Sequence, residues 1–278
     1  MSRRSLLTGA PLAQAGALFL GLLTLVGLFA PWLAPFAPDA LDLPAELEGP
    51  SLTHWLGTGD NGVDVLSHLL YGARVSLYVA GLTTLSSATV GVAAGVWAGY
   101  RGGWWDEALM RVVDVLLAFP GILLAIFITA VLGPALEHVV LALALTGWVG
   151  YARLARAQAL ALREREFVLA ARALGAGTGR VLLRHLLPNM AGPLLVQATF
   201  GLPAVILSEV SLSFLGLGVP PGTPSWGALL DTGAHYLLIA PHLSLAGGAA
   251  VALTVLAFNL VGDGLRDALD PRARARGA

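Results

Sequence analysis

The 278-residue chain is 56% hydrophobic and only 12% charged, whereas charged residues make up about 25% of an average soluble protein. It has a formal net charge of −1 and contains neither cysteine nor lysine, so all 16 positive residues are arginines. This composition excludes a soluble globular domain, disulfide or thiolate chemistry, and the lysine-dependent phosphate loop of a P-loop ATPase.

Five long uncharged stretches predict helices that span a membrane. They cover residues 5–38, 75–100, 115–136, 185–208 and 232–262, and each exceeds the roughly 20 residues that cross the hydrocarbon core. A shorter stretch, 139–152, would extend about 21 Å as a helix. We count it as a sixth span because Arg153 and Arg156 can reach toward the headgroups. The sequence therefore predicts an all-α, polytopic membrane protein with six transmembrane helices.

The arginines predict the orientation of these spans, because cytoplasmic loops of membrane proteins are rich in positive charge. With both termini in the cytoplasm, only Arg74 lies outside, and the first external segment is acidic. The cytoplasmic arginines are then Arg3, Arg4, Arg101, Arg111, Arg153, Arg156, Arg163, Arg165, Arg172, Arg180, Arg184, Arg266, Arg272, Arg274 and Arg276. The prediction is that both termini are cytoplasmic.

The beginning of the chain, MSRRSLLTGAPLAQAG, also resembles a twin-arginine export signal. The apolar core of an export signal is about 7–15 residues long. Residues 11–33 form a longer apolar run, and further predicted spans follow it. We therefore interpret this region as the first transmembrane helix.

Residues 163–189 form an arginine-rich island in the largest predicted cytoplasmic loop, between spans four and five. Its glycines have GxGxG spacing and no strand precedes them, so a dinucleotide-binding loop is not predicted. Phe167 is the only aromatic residue of the island, which disfavours a nucleic-acid patch. The simplest alternative is a basic loop that only satisfies the topology.

The spacing within this island predicts two short helices joined by a glycine turn and lying parallel to the membrane. Glu166 and Ala170 are one helical turn apart, and the small side chains of Ala170 and Ala171 leave room for close packing by another protein. Residues 175–179 should interrupt the helix. The second helix should end at Pro188. Its apolar stripe, toward the membrane, would consist of Leu182, Leu183, Leu186 and Leu187.

The segments EFVLAARALGAG and HLLPN resemble the EAA loop of ABC-transporter permeases. Leu169 stands where that motif has its glutamate, and Glu166 lies three residues earlier; this form is similar to the motif of peptide and nickel importers. The residues that match the motif are the paired alanines Ala170 and Ala171, the glycine Gly175, and the closing pair Leu187 and Pro188.

Other segments resemble the same branch of permeases, at residues 54–77, 100–126, 208–230 and 241–272. Gly59 and Val63 depart from the pattern of the first segment, where the branch has aspartate and arginine. On this resemblance, which covers residues 1–272, the chain is identified as a member of the C-type permease subunits of dipeptide, oligopeptide and nickel ABC importers.

The resemblance implies a type I ABC importer permease with cytoplasmic coupling helices. Residues 1–71 would form an N-terminal transmembrane helix with an external acidic segment, and residues 72–265 the permease domain. The coupling loop within that domain would cover residues 153–189, and Glu166 would belong to it with the matched motif residues. Residues 266–278 would form a cytoplasmic tail.

The resemblance also implies the partners of the chain. These are a second permease subunit, two cytoplasmic ABC ATPases and an external solute-binding protein, in the inner membrane of a prokaryote. No cofactor is expected in this chain, since the ATPases would bind ATP and Mg²⁺; the chain would therefore be no enzyme. The cargo would be a dipeptide, an oligopeptide or a related solute such as nickel. The alternative is a secondary transporter or channel, which should carry several charges within its spans.

Glu209 is a single carboxyl between two uncharged runs. Because a charge at membrane depth is costly, it is a candidate for the transport pathway. The alternative is a structural carboxyl at the external end of span five, bonded to backbone that Pro203 opens. The six histidines have neither HxH nor HxxxH spacing, so no metal site is predicted.

Overall fold

The computed structural model describes residues 11–269, which fold into helices and contain no β-strand; Thr58 and Asp64 form an isolated bridge. The predictions for Arg3, Arg4, Arg272, Arg274 and Arg276, and for most of the 266–278 tail, fall outside the described residues. The helices are α1 (Pro11–Leu33), α2 (Val65–Arg101), α3 (Gly103–Leu117), α4 (Gly121–Leu132), α5 (Leu136–Arg163), α6 (Glu166–Ala173), α7 (Thr178–Val181), α8 (Leu187–Phe214), α9 (Trp226–His235) and α10 (Pro241–Leu269).

Five helical segments are long and apolar enough to cross a membrane: α1, α2, α5, the continuous helix Thr178–Phe214, and α10. The predicted third span is broken instead of straight, because α3 and α4 meet at 82°. Pro120, which has no backbone N–H and disfavours helix at the residue before it, lies at this break. Counting the bent pair as one span gives the predicted six.

The predicted fourth span is much longer than residues 139–152, because α5 continues to Arg163. Arg153 and Arg156 are therefore part of the helix and do not merely follow it. Asp106 at the start of α3 forms a two-pronged ion pair with Arg156, and Arg163 donates to the carbonyl oxygen of Gly99 at 3.0 Å. These contacts bring the ends of α2, α3 and α5 together in what we call the arginine end of the molecule.

Helices α2 and α5 pack closely because three glycines of α2 face the backbone of α5. A Cβ atom on Gly91 or Gly95 would collide with a carbonyl oxygen of α5, and one on Gly99 would lie 2.7 Å from the carbonyl oxygen of Arg156. The spacing GxxxGxxxG is the small-residue pattern that lets membrane helices approach each other. This pair therefore forms the centre of the bundle.

We expect Gly95→Leu to prevent correct packing of α2 against α5, since overpacking a core costs about 1–3 kcal/mol even where the neighbours can relax. The yield of monodisperse protein in detergent, and its melting temperature, should both fall. Gly81 is the matched control: it lies on the same helix, and a Cβ there meets nothing within 4 Å. A Gly95→Leu protein as stable as Gly81→Leu would contradict this packing.

Helix α1 lies across α10 and α2, and glycines again allow the helices to approach closely. The Cβ position of Gly16 lies 2.8 Å from the carbonyl oxygen of Ala257, and that of Gly27 lies 3.2 Å from the backbone nitrogen of Arg74. The beginning of α8 and the end of α10 also meet, because the Cβ position of Gly192 lies 3.8 Å from a methyl group of Leu269. Helix α10 therefore ends at the arginine end.

Residues 34–64 form a compact cap at the opposite end of the bundle, which we call the acidic cap. Asp64 organises it: the carboxylate accepts from the backbone N–H and the hydroxyl of Ser67 at 2.8 and 2.7 Å and contacts the ring of His54 at 2.9 Å. His54 in turn stacks on Phe36 with 4.8 Å between ring centroids. Asp64 is thus the N-cap of α2, and it fixes the cap on the first turn of that helix.

Candidate functional site: an exposed helix at the arginine end

Helix α6 is fixed to the bundle by one side chain and exposes most of the others. Val168 is fully buried among residues of α2, α5, α7 and α8. Glu166 and Ala170 are exposed and Ala171 is half-buried. The large apolar side chains of this region are also open, at 42% for Phe167, 45% for Leu169 and 89% for Leu174. Exposed apolar side chains around small ones, on a helix that is held in place, are typical of a protein-binding surface.

Gly175 ends α6 in a left-handed conformation with φ of +82°. The Gly175 N–H donates to the carbonyl oxygen of Arg172 at 2.9 Å, and the Ala176 N–H donates to that of Ala171 at 3.0 Å. This pair of bonds is a Schellman motif, which satisfies the last carbonyls of a helix. No atom lies within 4 Å of the Cβ position of Gly175, so the backbone conformation, not space, favours glycine here.

The helix after this turn does not end at Pro188, contrary to the prediction. It starts at Thr178, passes through a π-helical turn, Leu182–Leu186, and continues as α8. In this turn the Leu187 N–H donates to the carbonyl oxygen of Leu182, one residue beyond the α-helical partner. The wider turn lets the helix pass the proline, which lacks a backbone N–H. The amide of Asn189 then donates to the carbonyl oxygen of His185 at 2.6 Å.

The predicted leucine stripe packs mainly on protein. Leu186 is fully buried, and Leu182 and Leu187 pack in the same cluster as Val168; only Leu183, which is 68% exposed, faces outward. The structure therefore brings Leu187 close to α6 through a shared core, while the side chain of Pro188 is exposed. This shared core connects α6 to the beginning of α8.

Glu209 lies far from this surface, at the other end of α8, and is fully buried. Its carboxyl accepts hydrogen bonds from the hydroxyls of Ser76 on α2 and Ser213 on α8, both at 2.9 Å. The sequence-based alternative predicted that Glu209 binds backbone opened by Pro203. This prediction is wrong about the hydrogen-bond partners, because two serine hydroxyls donate to the carboxyl instead. These bonds join α2 to α8 in the half of the bundle that is nearer the acidic cap.

A second set of contacts, between the start of α9 and the beginning of α2, was not predicted from the sequence. Trp226 is buried against α2, where its indole N–H donates to the carbonyl oxygen of Leu69 at 3.1 Å. Gly72 makes room for it, since the Cβ position there lies 2.8 Å from the Trp226 ring. His68 is hydrogen-bonded to the backbone of Ser225 at 3.2 Å. The sequence did contain a signal for this contact: a tryptophan directly follows the proline-rich run VPPGTPS, and a tryptophan in that place could have been predicted to hold the loop against a helix.

Two family models match the chain. Residues 91–275 match the binding-protein-dependent transport system inner membrane component, and residues 9–50 match the N-terminal transmembrane domain of oligopeptide transport permease C. Both the exposed helix α6 and the Gly91–Gly99 stripe lie within the first match.

Curated proteins match over almost the whole chain. The glutathione transport system permease protein GsiD of Shigella dysenteriae serotype 1 is 46% identical over 264 residues, which are 95% of this chain and 87% of GsiD. The protein of the same name from Escherichia coli O6:K15:H31 is 45% identical over the same lengths.

Among solved structures, inward-facing MetNI, a methionine ABC transporter, has a similar fold. The TM-score is 0.56 at 18% identity, over 73% of this chain and 97% of the solved chain. The two family matches and the 46% identity to GsiD over 95% of the chain show which family this is. The chain belongs to the binding-protein-dependent inner membrane components and is the permease subunit of an ABC importer of the oligopeptide permease C type.

Proposed function

We propose that this permease conducts small peptides, glutathione among them, across the inner membrane of a prokaryote. The observation that carries the proposal is the 46% identity to a glutathione permease over 95% of the chain. The chain would provide one half of the pathway and a second permease subunit the other half. ATP hydrolysis would take place in two partner ATPases, which would hold ATP and Mg²⁺, so this subunit itself would catalyse no reaction.

We further propose that α6 and its glycine turn form the coupling helix that docks on an ATPase. The residues assigned to this role lie on α6, in the turn that ends it, or at the beginning of α8: Glu166, Ala170, Ala171, Gly175, Leu187 and Pro188. The geometry of α6 supports this role, because the helix exposes apolar and small side chains while Val168 connects it to the start of α8. Closure of the ATPases would thus act on α2, α5 and α8 through the core around Val168.

The distribution of charge supports an orientation with the arginine end in the cytoplasm and the acidic cap outside. The cap carries Asp39, Asp42, Glu46, Glu48, Asp60 and Asp64, whereas the arginine end carries the arginines of α5, α6 and α7. The solute-binding protein would then dock on the cap. A groove of about 330 Å³ between the cap and the start of α9, lined by Asp39, Asp60 and Thr223 among others, would be part of that surface.

The proposal is tested by uptake into proteoliposomes that contain the complete transporter with its binding protein. We expect accumulation of labelled glutathione or of a dipeptide only when ATP is supplied to the ATPase side. Nickel is the alternative cargo, and saturable uptake of Ni²⁺ without uptake of any peptide would replace the proposed substrate class. Peptide uptake driven by an ion gradient in the absence of ATP would instead support a secondary transporter.

A further inference from the structure

A small cavity with several polar side chains in its lining lies among α2, α5 and α8, remote from α6; Ser208 in this lining directly precedes Glu209 in the chain. Its volume is about 190 Å³. Tyr151, which lines it, is 15 residues after the start of α5 and 12 before its end, so the cavity lies deep within that span, about 18 Å or more from either end of the helix. The polar side chains around the cavity are Thr84, Ser87, Thr146, Tyr151, Gln197 and Ser208.

Two of these polar side chains, Thr84 and Tyr151, have no hydrogen-bond partner among residues 11–269, whereas the hydroxyl of Ser87 donates to the carbonyl oxygen of Ala144 at 3.5 Å. The hydroxyls of Thr146 and Ser208 donate to carbonyl oxygens of their own helices, at 3.1 and 2.8 Å. The Tyr151 hydroxyl, on a side chain that is 5% exposed, has none, and neither has the buried hydroxyl of Thr84. A buried polar group without a partner costs several kcal/mol at membrane depth, so a molecule that enters the cavity is expected to bond to it.

The size and charge of the cavity define what it can hold. Its volume corresponds to about six water molecules, or to one peptide unit with a small side chain. None of the lining residues is charged. An ammonium, carboxylate or metal ion would therefore be unpaired there, whereas a neutral amide would find hydroxyl donors and acceptors and the amide of Gln197.

Two glycines keep the cavity open. A Cβ on Gly201 would lie 3.2 Å from the Tyr151 hydroxyl oxygen, and one on Gly147 would lie 2.7 Å from the hydroxyl oxygen of Ser87. The exposed residue Ala204 lines the rim, so the cavity opens toward the outer side of α8. We propose that this cavity is a binding site for one neutral peptide unit of the cargo, with Tyr151 as its hydrogen-bonding group. This inference rests on the proposed function and specifies which part of a peptide the subunit holds.

Tyr151→Phe distinguishes binding from a structural role. Removing a hydroxyl that has no protein partner should leave folding unchanged or improve it. If the hydroxyl binds the cargo, KM for ATP-driven uptake of trialanine or S-methylglutathione should rise about five- to tenfold. Tyr78→Phe is the matched control, because Tyr78 is 57% exposed on α2 and does not line this cavity. Gly201→Ala, which narrows the cavity, should act like Tyr151→Phe.

Occupancy can be measured directly because the chain has no cysteine of its own. In the assembled transporter in nanodiscs, Ser208→Cys should react with N-ethylmaleimide, and trialanine or S-methylglutathione should slow the reaction at least threefold. Ni²⁺ should give no protection, and Tyr151→Phe should remove most of the protection by peptide. Ser211→Cys, exposed on the same helix and outside the cavity, is the control and should react equally with and without peptide.

The outcomes separate this inference from the proposed function. If peptides are transported but neither slow the labelling nor depend on Tyr151, the cavity holds only water and the inference is overturned. If no peptide is transported, the proposed substrate is wrong, and N-acetylglycinamide takes the place of the peptides as the probe. Protection by this uncharged diamide would then support an amide site, and no protection would overturn it.

Discussion

Ala170→Arg is expected to abolish uptake while the protein still inserts and pairs with the second permease. Ala170 is exposed on α6, and arginine is nearly as good a helix former as alanine, so the helix itself should persist. A large charged side chain would prevent close packing in the ATPase groove, where overpacking costs about 1–3 kcal/mol. Recovery of ATPase subunits with the purified permease should therefore fall about tenfold.

The control for this change is Ala161→Arg, which adds the same side chain at an exposed site of α5 close to the arginine end. It should leave uptake and ATPase recovery near the wild-type level. If residues 163–189 were basic only because cytoplasmic loops carry positive charge, transport would be normal in both variants. Wild-type uptake by Ala170→Arg would thus remove α6 from the coupling mechanism.

The turn after α6 offers an independent test of the same helix. Gly175→Val places a β-branched residue at φ of +82°, where such a side chain is strained by roughly 1–2 kcal/mol. We expect loss of coupling, measured as ATP hydrolysis that no longer responds to loaded binding protein. Gly179→Val is the control, because a Cβ there also meets nothing within 4 Å but Gly179 does not have a positive φ.

Glu209→Ala should have the second large effect, a loss of stability. The carboxyl joins Ser76 of α2 to Ser213 of α8, and its removal leaves both hydroxyls without this acceptor. A loss of about 1–3 kcal/mol is expected, which corresponds to a fall in melting temperature of roughly 2–10 °C in detergent. Glu209→Gln keeps an acceptor oxygen at the same place and should retain most of the stability and uptake.

This pair of variants also separates the two roles that the sequence left open for Glu209. A carboxyl that acts in the pathway through its charge would lose function in Glu209→Gln even when the protein is stable. Stable but inactive Glu209→Gln protein would therefore contradict the interpretation of Glu209 as a tie between helices.

Much of the fold was predictable because membrane spans are long apolar runs, and each of the five long uncharged stretches overlaps a spanning helix or the bent pair α3 and α4. The limits of spans were less predictable: α5 continues through Arg153 and Arg156, and Arg156 pairs with Asp106, which is distant in sequence. The break near Pro120 had a local signal in the proline, but its angle depends on how α3 and α4 pack. Continuation past Pro188 required the π-helical turn, which no local pattern indicates.

The same distinction holds for the candidate site. The small residues and Gly175 of α6 were recognisable by motif, whereas the burial of Val168, which ties α6 to α8, depends on tertiary packing. The partners of Glu209 and the unpaired hydroxyl of Tyr151 also depend on contacts between helices, which one sequence does not define. The glycine spacing at 91, 95 and 99 was a readable signal that the sequence-based prediction missed.

The central claim, that α6 docks on an ATPase, is tested most directly by a site-specific cross-link. Leu174 is 89% exposed at the end of α6, and the chain has no cysteine, so Leu174→Cys provides a single reactive site. With a short bifunctional maleimide, we expect this variant to cross-link to a co-expressed ATPase subunit, with a yield that changes when ATP is bound. Leu52→Cys on the acidic cap, 98% exposed, should give no ATPase cross-link. An ATPase cross-link from Leu52→Cys and none from Leu174→Cys would contradict the account.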